Sequence, residues 1–503
     1  MHKKSFLSLL VFALTVVGCG AVSYEPANIY PPSPAREFRG LWIVTVANID
    51  WPSKPGLSTA VQKSELISIL DRAAQLKMNA VIFQVRPACD AFYASKIEPW
   101  SEYLTGRMGK APNPFYDPLA FAVEEAHKRG LELHAWFNPY RALHKTHEGK
   151  VASNHISQLR PDFVKRYGQY LWLDPGEQGV QDYSVNVVMD VVKRYDIDAV
   201  HFDDYFYPDP AEAGTAFPDA PSWKKYGSSR NLSREDWRRE NVNRFIERVY
   251  RSIKAAKPWV KFGVSPHGIW RPGHPPQVRT GFDSFATISA DSRKWLANGW
   301  VDYFSPQLYW KIDSEQSFPA LLNWWQNQNI QRRHLWPGLS LAYALKNNWD
   351  AREIPNQIGL IHQRPDVTGY VFYNTTNLLL NQPLMVRLER EIQRQPALVP
   401  ASPWLSSEVP ATPSASAGGS PENLKLTWKP GKGTNSIRWW AVPMKSQGGW
   451  KLQILTAEVL TKQLGVAPDA IAVTAIDRYG NASSPAMLRV VKATPGPRIL
   501  QRR

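Results

Sequence analysis

The chain has 503 residues, 43% of them hydrophobic and 21% charged, which excludes a natively unfolded protein and leaves room for one large domain with a smaller one. Its formal charge of +16 is spread without a dense basic block, which fits either a solvated surface or an anionic partner such as a charged glycan or an envelope surface. With two cysteines in all, Cys19 and Cys89, a disulfide framework is excluded as the source of stability.

In chain order, residues 1–19 come first. Lys3 and Lys4 precede an apolar run over 6–17 that ends in Val16-Val17-Gly18-Cys19, the pattern of a lipoprotein signal peptide whose lipobox leaves Cys19 as the lipidation site. An ordinary secretory signal is the alternative, but a small-residue cleavage site fits poorly. Export would place the protein in a bacterial cell envelope, lipid-anchored in a membrane, with nucleic acid excluded as a partner. Gly20, where Asp would alter sorting, is compatible with the periplasmic side of the outer membrane. No other apolar run reaches the about 18 residues that span a bilayer. Cys89 then reads as a small packing residue.

Residues 20–35 read as a Pro-rich tether. Strand-like runs follow at 38–46, 80–85, 131–137, 198–202, 261–265, 302–306, 335–341 and 369–373. Amphipathic helices are expected between them at 63–77, 118–129, 180–195, 237–256 and 350–364. Strand and helix alternating through eight strands predict a (β/α)8 TIM barrel over 36–395. An open doubly wound sheet is the runner-up, weakened because no G-x-G-x-x-G follows the first strand. Residues 396–422 are rich in Pro, Ser, Ala and Gly and read as a linker. Short strands over 423–492 suggest a β-sandwich resembling a fibronectin type III module, with a spacing or binding role, before a basic tail at 493–503.

Barrel chemistry collects at the C-terminal ends of the strands, and strand parity tells which residues point there. Parity directs Asp203 of VHFDDYFYP inward with His201, and leaves Asp204 at the strand-to-loop corner. The same rule selects Gln84 and Arg86; His134, Trp136 and Asn138, with Tyr140 and Arg141 beyond; and Ser265 and His267. The sixth strand offers Ser305, Gln307 and Tyr309 in one register, or Pro306 and Trp310 in the other. The eighth offers Tyr370 and Phe372 leading to Asn374. His134 and His201 lie deeper and read as supporting residues.

These residue types suit glycoside cleavage, which needs two carboxyl groups and aromatic platforms for sugar rings. Aromatic residues make up 12% of the chain, 21 of them Trp, and many follow strand ends, although any one of them alone reads as packing. Asp203 is the leading catalytic carboxylate, against the alternative of an acid satisfied by an arginine or by backbone amides. Asp204 is equally explicable as turn chemistry. Asp90 is the alternative second carboxylate, ahead of Glu98 and Asp302. Arg86, Gln84, Trp136, Asn138, Tyr140, Arg141, Tyr205, His267, Gln307, Tyr309 and Trp310 are the candidate substrate-binding residues. No metal ligand and no cofactor is expected.

The motifs RGLWIVTV…DWP, FQVRPACDAFYASKIEPWS, HAWFNPYR, LDPG, FDDYFYP, FGVSPHGIWR and SPQLYW closely resemble glycoside-hydrolase-like family ten, formerly a domain of unknown function. The resemblance runs from Arg36 to Gln395. It implies a (β/α)8 barrel that cleaves peptidoglycan glycan strands stripped of stem peptides, with cell-division proteins as further partners. The sequence departs from the family at Cys89, where Gly commonly precedes the Asp. Two other readings stand beside this one: a catalytically inactive glycan-binding lipoprotein, and a metal-dependent polysaccharide deacetylase, for which the helical H-x-x-x-H is missing.

Overall fold

A computed structural model describes residues 21–420, 422–433 and 436–491; the expected signal peptide with Cys19 and the expected basic tail lie outside the described residues. Eight strand positions form a parallel ring. Phe38–Ile43, Ala80–Arg86, Glu132–Phe137, Ala199–Phe202, Lys261–Val264 and Tyr303–Phe304 pair in that order. The seventh position is split: His334–Leu335 pairs with the sixth strand, and Gly338–Ser340 pairs with the eighth, Gly369–Tyr373. The eighth returns to the first through Val371↔Gly40, so the sheet closes on itself in a TIM-barrel-like α/β fold.

Local sequence explains the elements. The strands are apolar runs buried on both faces, as a sheet covered by helices requires. Ser58 caps the helix Thr59–Gln75 by accepting from the Val61 N–H, and Leu66, Ile69, Leu70 and Ala73 supply its buried face. Asp117 and Pro118 start Pro118–Lys128 in the same way. Ser233 caps the 23-residue helix Arg234–Ala256, which buries Trp237, Phe245, Ile246, Val249 and Ile253. Beyond the third strand, Arg141–Leu143, Val164–Tyr167 and Tyr170–Leu173 make a small antiparallel sheet that the sequence reading did not anticipate.

The barrel interior is polar along its axis. Lys261 Nζ lies 3.0 Å from Glu132, which accepts from His134. His134 and His201 both bond the Tyr303 hydroxyl, at 3.0 and 2.9 Å, and Trp42 Nε1 donates to His201 Nε2 at 3.2 Å. A Cβ on Gly263 would lie 1.9 Å from the Tyr303 ring. Glycine is therefore what lets that ring cross the interior.

Two expected boundaries change. The tether is not all connector, because Val22–Pro26 forms a strand between Ala486–Val491 and Ser414–Gly419. Ser414–Gly419 in turn takes part of the expected linker into the sheet. Each strand gains the backbone partners that an exposed segment would leave to water. The resulting C-terminal domain is an eight-stranded antiparallel sheet around Leu426, Trp428, Trp440 and Val473. It sits at the N-terminal ends of the barrel strands. Arg438 bonds Asp196 and Asp198 just ahead of the fourth strand, Arg478 bonds Asp196, and Trp404 donates to Asp302 ahead of the sixth. The opposite end of the barrel stays open.

Candidate active site

At that open end a cavity of about 420 Å³ collects residues from nearly every strand. The fourth strand ends at Phe202 and delivers Asp203 and Asp204, which both line it. Asp203 is 4% exposed. Its Oδ2 accepts from Asn138 Nδ2 at 2.5 Å and from Trp136 Nε1 at 3.2 Å, and its Oδ1 from the Tyr205 N–H at 3.4 Å. Asn138 is itself oriented: its Oδ1 accepts from Gln84 Nε2 at 2.7 Å, while Gln84 Oε1 accepts from the Thr45 and Val46 amides. Two backbone N–H groups of the first loop thus fix which way each amide faces, and the relay ends with a donor aimed at Asp203.

Burial, then the neighbouring charge of Asp204, push Asp203 up to about 7. Burial also raises Asp204, opposed by His267 and by a bond from Gln307. Two carboxyls in one dry site cannot both ionise cheaply, so each opposes ionisation of the other. One protonated and one ionised carboxyl side by side is the equipment of acid-assisted cleavage.

The cavity wall is aromatic. Trp136, Tyr205, Tyr309 and Trp310 line it, the last two from opposite registers of one strand end, with Gln84, Arg141, His267 and Gln307. Arg141 is the one lysine or arginine among the described lining residues. Its Nε donates to Pro87 O at 2.9 Å, and its guanidinium lies 5.3 Å from the Tyr205 ring.

Four of the expected catalytic and substrate-binding residues, Asp90, Arg86, Tyr140 and Asn138, are not cavity-lining. Asp90 is fully enclosed in the loop after the second strand, where it accepts from the Ala88 N–H. Arg86 is buried in a bidentate pair with Glu98 at 2.6 to 2.9 Å, and its Nη1 donates to Asn138 O. Its charge is neutralised inside the wall, so it supports the Asn138 backbone from behind. Tyr140 packs against Phe245, 5.1 Å between ring centroids. Asn138 reaches the site only through Asp203.

The eighth strand is out of phase with the reading. Tyr370 bonds Gln393 behind the sheet, and Tyr373 is the residue that lines the cavity. Val371, which a Cβ on Gly40 would touch, shares that inner side, and the small inward pair Gly40 and Val371 was the available signal. Trp42, Tyr343 and His144 were also missed. Trp42 has the parity of Phe38 and Gly40 and could have been found; Tyr343 comes from the short helix Leu341–Lys346 after the seventh strand position and His144 from a loop. Among the described residues no group of three or more His, Cys, Asp and Glu side chains is placed to hold a metal ion, the donor set a metal-dependent deacetylase needs.

Comparison with known proteins adds a family. Glycosyl hydrolase YngK of Bacillus subtilis (strain 168) is 44% identical over 392 residues, 75% of this chain and 76% of that protein. Glycosyl hydrolase DigH of Escherichia coli (strain K12) is 35% identical over 414 residues, 75% of this chain and 93% of its own. The PgaB (BpsB) glycoside hydrolase domain from Bordetella bronchiseptica overlaps 71% of this chain and 99% of its own, at 12% identity and a TM-score of 0.46; the fold assignment rests on the strand pairing instead. The family model described as Glycosyl hydrolase-like 10 matches residues 37–349, the stretch that carries both acids and every lining residue of the cavity except Tyr373. The chain belongs to the glycosyl hydrolase-like 10 family.

Proposed function

We propose that the protein is a glycoside hydrolase of the bacterial envelope that cuts peptidoglycan glycan strands lacking stem peptides. The observation that carries this is Asp203 and Asp204 lining one aromatic-walled cavity, with Asp203 pushed up to about 7. The protonated carboxyl gives its proton to the bridging oxygen as the C1–O bond breaks, and the ionised one stabilises the positive charge developing at C1. Water supplies the hydroxyl to C1, and its remaining proton restores the acid. Arg141 supports the choice of substrate. Muramic acid without its peptide keeps a free lactyl carboxylate, which a guanidinium binds, whereas an attached peptide turns that group into an uncharged amide.

Lipid attachment at Cys19 is part of this proposal, and it rests on the lipobox. Strand Val22–Pro26 begins three residues later and belongs to the domain at the closed end of the barrel, which supports an active-site mouth turned away from the membrane. We read that domain as a fibronectin type III-like spacer, with cell-division proteins as candidate partners.

The test uses sacculi stripped of peptides by an amidase. The wild-type protein is expected to release soluble glycan fragments detected by mass spectrometry, and Asp203→Asn to lower release by at least about a thousandfold with an unchanged circular dichroism spectrum. Undiminished release by the variant would remove Asp203 from the chemistry.

A further inference from the structure

Resting on the glycosidase reading, we infer that the glycan lies across the mouth with sugar units on both sides of Asp204, so that the enzyme cuts within a strand instead of trimming its end. A second lobe of about 370 Å³ adjoins the main cavity. The two share Arg141, His144, Asp204, Tyr205 and His267. Asp203 lines the first lobe alone, whereas Asp204 lines both. The carboxyl pair therefore stands at a junction, not at the bottom of a blind pocket.

Tyr205 is an aromatic residue that lines both lobes. The residue is 46% exposed and its ring lies against the Arg141 guanidinium, an aromatic surface where the chain of sugars would cross. The second lobe is a built feature and not a surface irregularity. The small antiparallel sheet after the third strand supplies Tyr170 and Trp172, and Trp172 Nε1 is tied to Phe206 O at 2.8 Å. Both lobes fall in the range of about 300–1,000 Å³ typical of ligand sites. An enzyme that removes terminal units needs space on one side of its acids to be closed. Here the space continues, and the acidic lining residues Asp209 and Glu212 suit an uncharged sugar.

The test follows product length from peptide-free glycan strands through the first minutes of reaction with the full chain. Internal cutting gives fragments of intermediate length before short ones accumulate. A companion variant, Glu212→Trp, fills the second lobe from a half-exposed position, 42% accessible; its melting temperature serves as the folding control. In the Asp203→Asn background it is expected to weaken binding of long strands by at least about tenfold. Release of terminal mono- or disaccharides alone from the earliest time points, or long-strand binding unchanged by Glu212→Trp, overturns the internal cut and leaves the glycosidase reading standing. A wild-type protein that cuts no strand at all overturns that reading, and this inference with it.

Discussion

Asp203 is costly to keep. In the unfolded chain its carboxyl ionises at about 3.9, whereas in the fold burial and Asp204 hold the proton until about 7. A raised carboxyl favours the folded state while it is protonated. That contribution is complete below the unfolded value and is lost as pH rises towards 7, beyond which a charge sits in a dry site. Asp203→Asn is therefore expected to stabilise the protein at pH 8, on the order of a few kcal/mol, with the gain fading towards pH 4. Urea unfolding at the two pH values checks it, and an equal difference at both would show that the charge is not strained. Loss of activity with gain of stability is the signature of a site held at a cost. Cys89 illustrates a milder cost at the same scale: its φ of 52° is left-handed, the region glycine enters freely. A glycine would hold that φ without strain, whereas the cysteine side chain gains a contact from Arg86 at 3.0 Å.

Among the elements, the barrel strands act together through their inward side chains. Because Trp42 donates to His201 Nε2, His201 carries its proton on Nδ1 and donates to the Tyr303 hydroxyl. Tyr303 then donates to His134 Nδ1, and His134 Nε2–H reaches Glu132. Burial lowers the pKa of both imidazoles, which keeps them neutral and the direction of the chain fixed. Tyr303→Phe would leave two imidazole nitrogens without that partner in the interior. A loss of about 1–3 kcal/mol is expected in urea unfolding; no loss would mean that the histidines find other partners. Parity read from sequence places His134 and His201 on inward faces because inward and outward positions alternate along a strand. It fails on the eighth strand, where Tyr370 and Tyr373 are both aromatic and polar-tipped, and residue type alone does not say which of them faces the axis.

At the scale of the molecule, the strand Val22–Pro26 joins the two ends of the described chain. It links the four-strand group ending at Ala486–Val491 to the three-strand group beginning at Ser414–Gly419. Deleting residues 21–26 is expected to remove hydrogen-exchange protection from 414–419 and 486–491 while the barrel strands keep theirs; full protection without the segment would show that the two groups pair on their own. The sequence alone determined the alternation of eight strands and their helices, the inward face of the fourth strand and the residue types at the mouth, because each is written in neighbours two to four positions apart. Tertiary structure decided that Asp90 and Arg86 are enclosed while Asp204 joins the cavity, that a second lobe opens beside the acids, and that the N-terminal strand completes the C-terminal sheet. Those outcomes depend on which distant segments close upon one another, and a contact such as Ser23↔Val491 leaves no trace in the local pattern of either partner.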